Sequence, residues 1–144
     1  MKPSSLYTGL AFAGATPFLA CGLLPLIGVD AIAPLGRLDT LASSYGLAII
    51  CFLAGAHWAT YLLRHADIRI NLLISSNVVL LVVWFAFVAA GIAWALVAQL
   101  AAFIVLLLID YRLLGDGVIS AGYFRVRGIA TTLAVFSIFL ILIT

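Results

Sequence analysis

The stretch at residues 70–109, INLLISSNVVLLVVWFAFVAAGIAWALVAQLAAFIVLLLI, decides the fold: 40 residues pass without a formal charge. As one helix it would measure about 60 Å at 1.5 Å per residue, twice the roughly 30 Å hydrocarbon core of a bilayer. It therefore folds back on itself. Gly91 is the natural break, and Trp94 just beyond it suits the headgroup layer. The run predicts a tight helical hairpin with almost no loop.

The rest of the chain follows the same pattern. Uncharged stretches at 6–27, 44–63, 70–90, 92–109 and 128–143 leave every Lys, Arg and Asp in the segments between them. A charge at the bilayer centre costs at least about 3 kcal/mol, so this segregation is what a hydrocarbon solvent demands. Of 144 residues, 67% are hydrophobic and 8% charged, and the mean hydropathy is +1.34. An average soluble domain is about half apolar and roughly a quarter charged. A soluble enzyme, a nucleic-acid module and a disordered chain are excluded. The expected fold is an all-α membrane protein of five transmembrane helices in a compact bundle, one domain over residues 1–144. The last stretch is the shortest and would reach only about 24 Å, so snorkelling or local thinning must assist it.

Charge sign sets the expected orientation. With five spans, one side carries Lys2, Arg64, Arg69, Arg112, Arg125 and Arg127, and the other only Arg37. The positive-inside rule puts the N-terminus in the cytoplasm and the C-terminus outside. The first apolar run continues past Cys21 to Ile27, so it reads as a retained span rather than a cleaved signal peptide. No long Arg- and Ser-rich presequence precedes it, and a bacterial inner membrane is the expected location.

In the 28–43 connection, Ile32, Leu35, Leu38 and Leu41 recur at three-residue steps, which predicts a short interfacial helix after Pro34. Pro17 and Pro25 should kink the first span or end it near Pro25. Small residues four apart suggest helix–helix contact at Gly9 and Ala13, along Cys51, Gly55 and Ala59, and along Ala95, Ala98 and Ala102. Cys21 and Cys51 lie at matching depth. A disulfide between them is conceivable, but their apolar surroundings favour free thiols.

Polar side chains inside spans carry the functional expectation. His57 lies about 9 Å from the cytoplasmic end of its span, Asn77 about 10 Å from the same side, and Asp110 closes the fourth span there. Tyr61 shares a helix face with His57 at i, i+4. A site formed by His57, Trp58, Tyr61, Asn77 and Asp110 could hold a polar headgroup, a quinone ring or a proton. The alternative is interhelical hydrogen bonding alone, worth roughly 0.6 kcal/mol per pair. Tyr123, Arg125 and Arg127 suit lipid headgroups, with rings at the interface and guanidiniums on phosphate.

Metal and haem sites are not expected. The chain has two His, two Cys and no Glu, and His57 and His65 are too close in sequence to ligate opposite faces of one porphyrin. No cofactor and no catalytic residue is assigned, since no nucleophile–base set stands out. Nucleic acid is excluded as a partner by a net charge of only +2. The lipid bilayer is the expected partner, with other membrane subunits or a second copy of the chain left open.

At the second span, Tyr45-Gly46 followed by Phe52-Leu53-Ala54-Gly55-Ala56-His57-Trp58 resembles the signature of an uncharacterised bacterial membrane family, a domain-of-unknown-function family that also includes mitochondrial transmembrane protein sixty-nine. The Asp110-Tyr111 pair and Tyr123-Phe124-Arg125-Val126-Arg127 are similar to that family's later part. Ala54 stands where the family pattern has Gly, a small-for-small change. The resemblance spans residues 25–144 and implies a small five-helix membrane protein, with His57-Trp58 as the pair its purpose depends on. It implies no reaction, substrate or cofactor.

Two roles stay open on these grounds. One is a non-catalytic accessory, assembly or scaffold subunit. The other is a binding protein for a quinone, lipid or other amphiphile at the polar cluster. A transporter or channel ranks below both, because the spans hold no continuous polar file and no inverted repeat.

Overall fold

The computed structural model describes residues 2–144. Five long helices run in alternating directions: α1 (Pro3–Leu23), α2 (Leu38–Arg64), α3 (Leu72–Ala89), α4 (Ile92–Gly115) and α5 (Ala121–Ile143). All five are long and apolar enough to cross a membrane. The chain is a five-helix membrane-spanning bundle.

α2, α4 and α5 extend past the uncharged stretches of sequence, because a helix need not stop where the hydrocarbon does. α5 takes in Arg125 and Arg127 and reaches 23 residues, about 35 Å, so the last span has ample length. Its start is fixed by Ser120, whose hydroxyl accepts from the Tyr123 N–H. Asn71 caps α3 in the same way, accepting from Leu73 and Ile74. The α3–α4 hairpin turns on Ala90 and Gly91, with Gly91 at φ +81, a left-handed conformation that only glycine adopts without strain.

Pro17 sits inside α1 without ending it. Proline has no N–H to give the Ala13 carbonyl, and the Thr16 hydroxyl donates to that carbonyl instead, at 2.7 Å. The α-helix ends at Leu23, and a 3₁₀ turn over Leu24–Ile27 holds Pro25. The expected interfacial helix after Pro34 is not formed. Residues 31–32 and 36–37 pair as a minimal antiparallel hairpin, β1 (Ala31–Ile32) and β2 (Gly36–Arg37), and α2 begins directly at Leu38. Leu38 and Leu41, half of the three-residue periodicity, belong to the first turn of α2.

The core is built around Phe18 of α1. Its ring meets Phe103 of α4 edge-on at 5.6 Å and Tyr45 of α2 at 5.1 Å, and the Tyr45 hydroxyl donates to the Gly14 carbonyl at 2.8 Å. Ile50, Leu96, Leu106 and Ile138 complete it from α2, α4 and α5. α4 is the most buried helix, and its small residues Ala95 and Ala102 face the core. α3 packs on α2 and α4 and turns Ile74, Val78, Val82 and Phe85 outward. In lipid that face lies in its natural solvent.

The small-residue contacts expected on α4 are present at Ala95 and Ala102, whereas those expected on α1 and α2 are not. Gly9, Ala13, Cys51, Gly55 and Ala59 lie on outward faces, and nothing stands within 4 Å of a Cβ built on Gly9 or Gly55. Close approach occurs at Gly22, where a Cβ would sit 3.0 Å from the Ser137 backbone, and at Gly46, where it would run into the Gln99 side chain. Gln99 is fully buried and donates through Nε2 to the Ser43 carbonyl at 2.7 Å, so it has no room to yield. Both cysteines are free thiols, Cys21 buried and Cys51 exposed.

These contacts generate a stability series. Gly22→Ala and Gly46→Ala should each destabilise the bundle by about 1–3 kcal/mol through overpacking. Gly55→Ala should change stability by less than about 0.5 kcal/mol. Unfolding of the three variants in detergent micelles distinguishes them.

Candidate functional site

The helical period decides which polar side chains meet. On α2 the inward stripe is Gly46, Ile50, Leu53 and His57, a spacing of three and four that keeps one face inward. On α4 it includes Gln99, Leu106, Asp110 and Leu113. Ala134 and Ile138 of α5 continue inward from Arg127 and Thr131 at the same spacing. The ends of these stripes nearest the N-terminus bring His57, Asp110 and Arg127 together.

Asp110 is the hub. Its Oδ1 lies 2.9 Å from His57 Nε2, and its Oδ2 accepts from Arg127 Nε at 3.0 Å. The side chains of His57, Asp110 and Arg127 are 6%, 4% and 11% exposed, so the cluster is out of contact with the bulk. A carboxylate has only acceptors, so His57 Nε2 carries the proton of that bond. Arg127 Nη2 lies 2.9 Å from Oδ2 but off the hydrogen-bond direction, so its charge is paired while its N–H is not. His57 Nδ1 is likewise unpartnered. A cavity of about 20 Å³ touches all three residues, together with Thr60 and Tyr123. That is room for one water.

Not every expected residue takes part. Asn77 is exposed and its amide donates to Leu73 of its own helix at 2.6 Å, so it does not join the cluster. It stands at the right depth but one residue, about 100° of helix, off the inward stripe of Leu72, Ser76 and Val83. Trp58 is displaced from His57 by the same step and is 43% exposed on the outer face. Tyr61 is half-buried one turn below His57, packing on Leu72, Ile109 and Leu113 rather than on the carboxylate. Arg127 pairs with Asp110 across the bundle, while Arg125 stays exposed. Tyr123 turns inward as well, its ring 5.7 Å from that of Tyr7.

A larger cavity adjoins the cluster. About 340 Å³ lies between α1, α2, α4 and α5, walled by Leu10, Phe18, Phe52, Phe103, Ala130 and Ala134 among others. α1 and α5 run parallel. Their backbones touch at Gly22 and Ser137, whereas at the other end two tyrosine rings stand between them. The gap that results runs from Tyr7 to Phe18 on one wall and from Tyr123 to Ala134 on the other, about 17 Å at 1.5 Å per residue. Leu10 and Phe52 at its rim are largely exposed, so it opens sideways. Leu53, Tyr123 and Arg127 line both the large groove and the small cavity and form the wall they share. Thr131, buried with its hydroxyl unpartnered, also lines the groove.

The family described as a protein of unknown function, DUF3429, matches residues 2–143. This chain belongs to the DUF3429 family. No curated protein and no solved structure matches it significantly. Among the described residues no group of three or more His, Cys, Asp or Glu could hold a metal. The geometry provides a buried His57–Asp110–Arg127 cluster at one end of an apolar groove.

Arg127 was open to detection from sequence. A lone Asp in an apolar helix requires a counter-charge, and Arg127 heads the stripe that continues through Thr131, Ala134 and Ile138. Removing the hub tests its role in this DUF3429 bundle. Asp110→Ala leaves a buried guanidinium unpaired and should lower stability by about 3–5 kcal/mol. Adding Arg127→Ala to it should restore part of that loss. Strict additivity of the two substitutions would show that the pair is not coupled.

Proposed function

We propose that this protein binds a single-tailed amphiphile in the groove between α1, α2, α4 and α5, with the tail along the apolar walls and the polar head at Tyr123 and Arg127. The groove itself is the observation that carries the reading. Its volume, about 340 Å³, falls in the range of small-molecule sites, roughly 300–1,000 Å³, and such sites combine apolar walls with a few polar groups. Its length of about 17 Å matches one leaflet, half of the roughly 30 Å hydrocarbon core. The sideways opening lets a tail enter from lipid without crossing water. Between the two roles the sequence leaves open, the groove favours the binding protein, with the site centred on α1 and α5 rather than on Trp58 and Asn77.

We place the protein in a bacterial inner membrane with the N-terminus in the cytoplasm. Arg127 is committed to Asp110, yet five cations still stand at the N-terminal end against Arg37 alone at the other, and the rule counts Lys and Arg irrespective of neighbouring carboxylates. A C-terminal alkaline phosphatase fusion should be active and a C-terminal fluorescent-protein fusion dark. The reverse pattern would overturn the orientation.

Binding is tested by native mass spectrometry after mild extraction. The wild-type chain should carry one small amphiphile, and Ala130→Phe, which fills the groove, should lose it. An unliganded wild type, or an Ala130→Phe variant as fully loaded as the wild type, would defeat the groove reading. Stoichiometric recovery of another membrane subunit in place of a small molecule would point to the accessory role.

A further inference from the structure

We infer that the head of the bound amphiphile is uncharged and presents a hydrogen-bond acceptor, a carbonyl or ester oxygen, and that anionic heads are excluded. This inference rests on the groove reading above and specifies its ligand.

The charge at the head end is already balanced. Among the described residues Arg127 is the one charged side chain lining the groove, and its guanidinium is matched by the Asp110 carboxylate 2.9 Å away. A phosphate or carboxylate arriving at Arg127 would set two negative groups against one guanidinium in a medium of low dielectric. To avoid that, Arg127 would have to leave Asp110, stranding a buried carboxylate with only His57. An arginine at the mouth of a groove normally reads as an anion site. The carboxylate behind this one removes that capacity.

Hydrogen-bond capacity, in contrast, is left over. Among the described residues the Thr131 hydroxyl is buried without a partner, and Arg127 Nη2, 2.9 Å from Asp110 Oδ2, makes no aligned hydrogen bond to it; both residues line the groove. They sit one turn apart on α5, on the same face. Arginine is donor-only, and a threonine hydroxyl donates freely. Buried donors without acceptors are costly; both atoms are covered as they stand, and a small turn of the Thr131 side chain brings its hydroxyl to a neutral acceptor oxygen without disturbing the ion pair. The Tyr7 and Tyr123 rings flank the same end and give a flat carbonyl-bearing head an aromatic wall.

The distinguishing experiment uses the full-length protein in nanodiscs and three photoreactive probes. They share a hexadecyl tail bearing a diazirine and differ only in the head: methyl ester, sulfonate or phosphate monoester. Labelled peptides are mapped by mass spectrometry. The ester probe should label the α1 and α5 groove segments about tenfold more than either anion, equivalent to roughly 1.4 kcal/mol. In Asp110→Asn, which uncovers the guanidinium, the order should reverse in favour of the anions. Equal or stronger anion labelling of the wild type would overturn the headgroup assignment while leaving the groove intact. Absence of groove labelling by all three probes would overturn the groove reading itself. The wild-type comparison stands alone if Asp110→Asn does not fold.

Discussion

A carboxylate inside a membrane bundle has to be answered by the protein, because lipid offers it nothing. Asp110 is answered twice, by His57 from α2 and by Arg127 from α5. Those two contacts fix the rotation of three helices about their own axes. Apolar packing alone specifies rotation weakly where lipid is as apolar as the interior. With Asp110 turned inward, α4 presents Gln99 and Leu106 to the core, and α5 presents Thr131 and Ala134. A buried ion pair is poor evidence of added stability, but it discriminates strongly against misrotated packings that would leave a charge unpaired. The remainder of the bundle follows from that discrimination.

α1 and α5 are held differently at their two ends. At Gly22 the helices meet backbone to backbone, whereas near the N-terminus Tyr7 and Tyr123 fill the space between them. The groove is the consequence of that difference, and the ion-pair cluster closes its polar end. Structure and chemistry converge on the same residues: Tyr123 and Arg127 serve the packing of α5 and also line both cavities.

The sequence made depth legible and left azimuth largely unread. Uncharged runs mark the five helices, and counting residues placed His57 and Asp110 at the same level of the bundle. Level alone groups Asn77 and Trp58 with them, although each stands one residue off its helix's inward stripe. Applying the 3.6-residue period to the apolar neighbours would have separated them. The same period would have turned Arg127 inward. Its place in a loop-side cluster with Arg125 suggested lipid phosphate instead. The hairpin at residues 31–37 was hidden for another reason: three-residue steps over so short a segment do not distinguish a turn of helix from a tight reversal. The groove had no sequence signal, because it arises from the splay of two helices far apart in the chain.

The parallel pairing of the first and last helices also has a meaning in time. Chains are made and inserted from the N-terminus, and Arg127 belongs to the last helix to arrive. Until α5 is in place, Asp110 sits in its helix with His57 alone, and α1 has no neighbour for Gly22 to meet. A chain halted before residue 121 is therefore marked by an exposed acid within the bilayer, a recognisable signature of unfinished synthesis. Its removal coincides with the closing of the groove wall, so the groove comes into being only once α5 has packed against α1.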